Sequence, residues 1–183
     1  DNVGEYIEDL QELIRKPSVS AQNIGLEECA EFVKQQMHKD GLPAELHEIP
    51  GGPPLVFGHL KSSLSKKTLF CYSHYDVQPP EPIDKWSYGG PWSGALVDNV
   101  IYGRGATDNK GGMLAFNKAA KAFLQVRGEV PLNLKFFYEG EEEIGSVHLG
   151  PWVEKNKKLL EADGMHCLDG TVDTFAKVPE VEL

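Results

Sequence analysis

The chain has 183 residues, 40% of them hydrophobic and 25% charged, as expected for a globular domain with a buried core. Its formal net charge of −10 argues against nucleic acid or an anionic membrane as a partner, since both bind basic protein surfaces. No signal-peptide pattern opens the chain and no apolar run reaches membrane-spanning length, so we expect a cytoplasmic protein. Three scattered cysteines without a Cys-x-x-Cys pair indicate neither a disulfide framework nor a thiolate zinc site.

The first part of the chain predicts two helices followed by three strands. Apolar residues recur at helical spacing from Val3 to Ile14, and a second amphipathic helix is expected over Leu26–His38. The three segments that follow have the composition of strands and are separated by turn residues: Ala44–Ile49, Pro54–Leu60 and Thr68–Val77.

Helices and strands continue to alternate in the rest of the chain. Asp98-Asn99 between two short apolar segments predicts a hairpin, because Asn tolerates positive φ. The further expected elements are a helix over Gly112–Val126, a strand over Leu132–Tyr138, a helix over Val147–Leu160 and a strand over Gly164–Leu168. This alternation predicts an α/β fold, a three-layer α/β/α sandwich around a mostly parallel mixed sheet. Ligands of such sheets bind at the carboxyl ends of the strands.

Polar clusters follow several of the predicted strands. The clusters are Ser73-His74-Tyr75-Asp76, Gly103-Arg104-Gly105-Ala106-Thr107-Asp108 and Glu139-Gly140-Glu141-Glu142-Glu143, with Asp169 after the last strand. A neutral imidazole with several carboxylates is a ligand set for divalent metals such as zinc or manganese. A carboxylate left over beside the ligands can act as a general base in hydrolysis. The clusters together indicate a metallohydrolase.

Each cluster also has a structural explanation. His74 and Asp76, two apart on a strand, project to the same face and suit a ligand with its orienting carboxylate, but a lone histidine is usually structural. The segment 103–112 lacks the Gly-Lys-Ser/Thr ending of a phosphate loop and, taken alone, is equally a turn before a helix. Glutamates 141–143 are equally a solvated charge run, although adjacent carboxylates repel one another unless a cation compensates them.

Taken in order, three motifs resemble those of one known family. Ser-His-Tyr-Asp-Val-Gln-Pro at 73–79, Tyr-Gly-Arg-Gly-Ala-Thr-Asp-Asn-Lys-Gly at 102–111 and Glu-Gly-Glu-Glu-Glu-Ile-Gly-Ser at 139–146 are similar to signatures of the cocatalytic two-metal aminopeptidases, carboxypeptidases and aminoacylases. The Asp-Val-Gln-Pro form, with the nearby Trp86, is most similar to the carnosinase-type dipeptidases. The resemblance covers essentially the whole chain and implies a zinc-exopeptidase-like fold.

The resemblance implies a role for each site residue. Four residues match the metal ligands of the family: His74, Asp108, Glu143 and Asp169. Asp108 would bridge two divalent ions, with zinc as the first candidate and manganese or cobalt as alternatives. Asp76 would orient His74, and Glu142 would be the general base. A cis peptide bond is expected between Asp108 and Asn109, where the family usually has a second acidic residue. The substrate would be a small peptide, such as a dipeptide, or an N-acyl amino acid.

The family pattern also includes a last histidine ligand, a lid and dimerisation domain, and a carboxyl-terminal catalytic segment. Residues 1–183 would then be the amino-terminal part of the catalytic domain, with little activity alone. We expect a homodimer in the full-length form, or association with the missing carboxyl-terminal portion. Two other classes stay open: a catalytically silent metal-binding or interaction module of the same fold, and a simple α/β binding domain whose acidic loops are solvated.

Overall fold

The computed structural model describes residues 2–170 and two short strands near the end of the chain. Its helices are α1 (Val3–Ile14), α2 (Leu26–Lys39), α3 (Lys110–Arg127), α4 (Leu149–Lys155) and α5 (Lys157–Leu160). Its strands are β1 (Glu45–His47), β2 (Leu55–Leu60), β3 (Thr68–His74), β4 (Ala95–Val97), β5 (Val100–Tyr102), β6 (Asn133–Glu139), β7 (Gly164–Cys167), β8 (Val172–Asp173) and β9 (Val178–Pro179). Single turns of 3₁₀ helix lie at Ser20–Gln22, Ile83–Lys85 and Glu142–Ile144.

The central sheet has the strand order β1-β2-β6-β3-β7. β3 pairs in parallel with β6 and with β7, whereas β2 is antiparallel to both β1 and β6. Only β2 therefore opposes the common direction of the other strands, and the predicted mostly parallel mixed sheet is confirmed. Because β3, β6 and β7 are parallel, their carboxyl ends lie at the same edge of the sheet.

Helices cover both faces of this sheet. Phe136 and Phe137 are adjacent on β6 and point to opposite faces, as strand geometry requires. Phe136 belongs to a core that includes Leu13, Val33 and Met113 from α1, α2 and α3. Phe137 belongs to a second core that includes Trp152 of α4. The predicted three-layer α/β/α sandwich is confirmed.

Most predicted elements lie within a few residues of the observed ones, and two differ for identifiable reasons. β3 ends at His74 and not at Val77, because the chain leaves the sheet and the Val77 amide donates to Ser18 O at 2.9 Å. The helix expected over Val147–Leu160 is divided at Asn156, whose side-chain amide donates to Trp152 O at 2.8 Å. Such local side-chain bonding competes with the helical pattern. The Asp98-Asn99 hairpin is confirmed, with φ of 49° and 63°.

A buried ion-pair network joins α1, α2 and α3. Lys118 of α3 contacts Asp9 of α1 at 2.5 Å and Asp40, at the end of α2, at 2.6 Å. Lys121 contacts Asp40 at 2.9 Å and Glu5 at 2.6 Å. Because buried charges are costly unless they are paired, these contacts also fix how the three helices pack.

We expect Lys118→Ala to lower the free energy of unfolding by about 3 kcal/mol, because it leaves two buried carboxylates short of a partner. Urea unfolding followed by circular dichroism measures the change. Lys157→Ala is the matched control, since Lys157 pairs with Glu154 at the surface, and its effect should stay below about 1 kcal/mol. Equal effects of the two substitutions would show that the buried network does not stabilise the helix packing.

Candidate metal centre

Four polar side chains converge at the carboxyl-terminal edge of the sheet. His74 is the last residue of β3, Glu142 opens the 3₁₀ turn after β6, and Asp169 follows β7. Asp108 lies just before α3, next to the cis Asp108–Asn109 peptide bond, which confirms that prediction. The sheet edge therefore brings together residues that are far apart in sequence.

His74 Nε2 lies at the centre of this group. It is 3.2 Å from Asp108 Oδ1, 3.4 Å from Asp169 Oδ2 and 3.8 Å from Glu142 Oε2. His74, Asp108 and Asp169 each offer a ligand atom within 4.8 Å of the other two. The three residues converge as predicted, and their spacing would let one ion contact all of them.

The donor set fits a divalent cation. His74 Nε2 is inaccessible to solvent and makes no well-formed hydrogen bond to any described residue, although carboxylates surround it. Burial lowers the pKa of His74, but the hydrogen bond and charge of Asp76, with the charges of Asp169 and Glu142, outweigh burial and raise it to about 9. The cluster thus favours a positive charge at this point. Imidazole nitrogen with carboxylate oxygens is a set that zinc and manganese accept.

Asp76 connects His74 to the glutamate turn. His74 Nδ1 lies 3.1 Å from the Asp76 backbone O and 3.3 Å from Asp76 Oδ1, which also accepts the Glu142 amide at 3.2 Å. Asp76 Oδ2 accepts the Glu143 amide at 3.1 Å, and the whole residue is buried. A carboxylate on the far nitrogen of a histidine fixes the ring and directs the other nitrogen toward a metal.

The glutamate run does not act as one unit. Burial raises the pKa of Glu142 and of Glu143. Glu143 lies outside the group of three, and its Oε2 accepts Gln78 Nε2 at 2.7 Å. Glu141 is buried and its Oε1 lies 2.8 Å from His148 Nδ1. The alternative interpretation of residues 141–143 as a solvated charge run is therefore wrong for Glu141, because that side chain is buried and contacts His148.

Two further residues hold the site and were missed from the sequence. Gln78 bonds Glu143 through both its backbone and its side chain. Lys110 is fully buried, and its Nζ donates to Leu13 O at 3.1 Å and Lys16 O at 2.5 Å, which ties the segment after Asp108 to the end of α1. The available signal was that both residues belong to the motif segments 73–79 and 102–111.

A second acidic group is close enough for a metal ion but has a different partner. Glu5, Asp9 and Asp40 also offer ligand atoms within 4.8 Å of one another. Lys118 and Lys121 neutralise them at ion-pair distance. Within the described residues, the His74 group is therefore the better candidate for a metal centre.

A three-layer sandwich with a histidine and carboxylates at its strand ends is the arrangement of a zinc-exopeptidase-like domain. Residues 70–181, more than half of the chain, match the model of Peptidase family M20/M25/M40. The chain belongs to this family. The matched region contains every residue of the candidate centre.

Similar proteins include dipeptidases and a carboxypeptidase. The chain is 39% identical over 150 residues to a Beta-Ala-His dipeptidase of Homo sapiens, covering 80% of this chain and 28% of the relative. It is 34% identical over 192 residues to a Cys-Gly metallodipeptidase of Schizosaccharomyces pombe, covering 96% of this chain and 40% of that relative. The structure matches an M20 family metallo-carboxypeptidase from Sulfolobus solfataricus with a TM-score of 0.85 and 41% identity. The match covers 92% of this chain and 38% of the carboxypeptidase chain. The predicted likeness to dipeptidases is confirmed, and the chain spans less than half the length of these relatives.

We expect Asp76→Asn to weaken metal binding about 10–100-fold, because it removes the negative charge beside His74 and replaces one of the two oxygens that accept the Glu142 and Glu143 amides. Titration of the protein with Zn²⁺ against a chelator of known affinity measures the change. Asp84→Asn, at an exposed residue of the turn Ile83–Lys85, is the matched control and should leave affinity unchanged. Equal zinc affinities of the wild type and Asp76→Asn would contradict the proposed role of Asp76 in orienting His74 and the glutamate turn.

Proposed function

We propose that the protein hydrolyses the amide bond of a dipeptide or an N-acyl amino acid with the help of divalent metal ions. The observation that carries this proposal is the convergence of Asp108, Asp169 and Glu142 on the buried His74 Nε2. Membership of a peptidase family and relatives named as dipeptidases favour a small peptide substrate. Among the described residues, no helix is long and apolar enough to cross a membrane. Cytoplasmic location stays a prediction.

We assign metal binding to four side chains. His74, Asp108 and Asp169 would hold the first ion. Asp108 and Glu143 would supply some of the ligands of a second ion. Zinc is the first candidate, and manganese and cobalt are alternatives. When bound, such ions supply Lewis-acid polarisation of the scissile carbonyl and lower the pKa of water. Asp76 would keep His74 in the tautomer that directs Nε2 toward the ion.

Glu142 is the proposed general base. Its carboxylate is about one-third exposed and lies at the edge of the cluster, where water and substrate can reach it. Burial raises the pKa of Glu142, and Asp169, Asp76 and Asp108 add to this against the opposite effect of His74. A raised pKa makes a carboxylate a stronger base near neutral pH. Glu142 Oε2 would accept the proton of the attacking water and later deliver it to the leaving nitrogen.

We further propose that residues 1–183 are the amino-terminal part of the catalytic domain and that more of the family's sequence packs beside β7. Among the described residues, β7 pairs only with β3, and all its residues are exposed. Next to it lies a groove of about 470 Å³ whose lining includes Phe70, Tyr72, Phe137, Val153 and Met165, the last 68% exposed. An open strand edge beside an apolar groove favours pairing with further sequence.

We expect Glu142→Gln to lower kcat for a dipeptide about 10²–10⁴-fold in the complete protein while metal content stays at the wild-type level. Glu143→Gln should instead lower metal content, because it removes a charged ligand. Steady-state kinetics with elemental analysis of the same samples separates the two effects. Metal loss in Glu142→Gln but not in Glu143→Gln would reverse the two assignments, and metal binding without turnover in the wild type would favour a silent module.

We expect the 183-residue chain alone to hydrolyse dipeptides poorly and to self-associate through the groove, with activity restored when the carboxyl-terminal portion is added. Met165→Glu should weaken both self-association and binding of the carboxyl-terminal portion, because it places a charge on the apolar edge. Analytical ultracentrifugation measures both associations. Val126→Glu, at a 77% exposed residue of α3 that is not part of the groove lining, makes the same change in net charge and is the matched control. Full activity of the monomeric 183-residue chain would overturn the domain proposal.

A further inference from the structure

The turn that carries Glu142 and Glu143 is closed by its own backbone. Glu141 O accepts the amides of Ile144 at 3.1 Å and Ser146 at 2.8 Å, and Glu142 O accepts the Gly145 amide at 2.8 Å. Gly145 and Ser146 have positive φ, 86° and 51°, so the chain reverses sharply after the turn. The direction of the Glu142 and Glu143 side chains therefore depends on how the two ends of this reversal are held.

Glu139 holds one side of the reversal. It is the last residue of β6 and only 3% exposed. Its Oε1 accepts the Tyr72 hydroxyl from β3 and the Ser146 hydroxyl from beyond the turn, each at 2.7 Å. One carboxylate oxygen thus connects two strands of the sheet with the far end of the reversal.

Glu141 holds the other side. Its Oε2 accepts the His148 amide at 3.1 Å, and its Oε1 lies 2.8 Å from His148 Nδ1. Glu141 is 7% exposed, whereas the His148 side chain is 40% exposed, so the contact joins a buried carboxylate to a histidine at the surface. The residues before and after the turn are therefore joined twice, through Ser146 and through His148.

Neither carboxylate takes part in the candidate metal group. Within the described residues, the atoms that converge on His74 Nε2 come from Asp108, Asp169 and Glu142. Burial of a carboxylate is costly unless hydrogen bonds compensate it, and the contacts of Glu139 Oε1 and of both Glu141 oxygens go to Tyr72, Ser146 and His148. Their contacts indicate a part in placing neighbours, not in binding an ion.

We propose that Glu139 and Glu141 are positioning residues for the reaction, which fix the Glu142–Ile144 turn so that Glu142 faces His74. Asp76 holds the inner side of the same turn through the Glu142 and Glu143 amides. The turn is thereby held on three sides: by Glu139 from the sheet, by Glu141 through His148 at the start of α4, and by Asp76 beside His74. This proposal rests on the proposed function of Glu142.

The test is steady-state kinetics on a Cys-Gly dipeptide with the complete protein. Glu139→Ala should lower kcat about 10–100-fold, the cost of a small misplacement of a catalytic group, with KM and metal content near wild type. Glu139→Gln keeps an oxygen that accepts from Tyr72 and Ser146, and should recover kcat to within about fivefold. Glu154→Ala, at an exposed residue, is the control and should leave kcat unchanged.

Ser146→Ala tests the same contact with a smaller change, and stays informative where Glu139→Ala does not fold. It should lower kcat about threefold to tenfold. The double variant with Glu139→Ala should have the same kcat as Glu139→Ala alone, because both substitutions remove the same hydrogen bond between Ser146 and Glu139. Wild-type kcat in Glu139→Ala and Ser146→Ala, failure of Glu139→Gln to recover activity, or additive effects in the double variant would each overturn the proposal. Glu142→Gln serves as reference: full activity there would show that the proposed function has failed and not the positioning alone.

Discussion

The candidate site depends on the buried carboxylate of Asp76. Parallel pairing brings the ends of β3 and β6 to one edge of the sheet, but pairing alone does not orient side chains that lie beyond the strands. Asp76 supplies that orientation, because one carboxylate contacts the ring of His74 and accepts the amides of Glu142 and Glu143. Charged acceptors make strong hydrogen bonds when they are buried, so the histidine and the turn are held as one unit.

Electrostatics separates this site from the rest of the molecule. Two clusters of acidic side chains are tight enough for an ion, one around His74 and one at Glu5, Asp9 and Asp40. The second is neutralised by the nearly buried Lys118 and Lys121 and by the more exposed Lys39. The described cationic partner of the first is a single histidine, whose Nε2 faces three carboxylates. The same requirement for compensating charge thus produces a structural network between helices and a candidate metal centre at the sheet edge.

Periodicity and turn residues were enough to predict the layers, the mixed sheet and the Asp98-Asn99 hairpin, because these follow from local preference and the burial of one face. The convergence of Asp108 on His74 needed the family resemblance, since nothing local places a loop before α3 beside the end of β3. The break at Asn156 and the pairing of Glu141 with His148 were missed. Both depend on which partner a polar side chain meets once the backbone has folded. Three adjacent glutamates have the same chemistry, so local sequence does not indicate which of them will face the site.

Anomalous diffraction from crystals of the protein grown with Zn²⁺ and measured at the zinc edge would decide whether the His74 group is a metal centre. We expect a strong peak within about 2.0–2.2 Å of His74 Nε2 and of carboxylate oxygens from Asp108 and Asp169. Zinc bound elsewhere, or absent from this group at saturating concentration while the fold is intact, would contradict the assignment of the cluster and with it the proposed hydrolytic function.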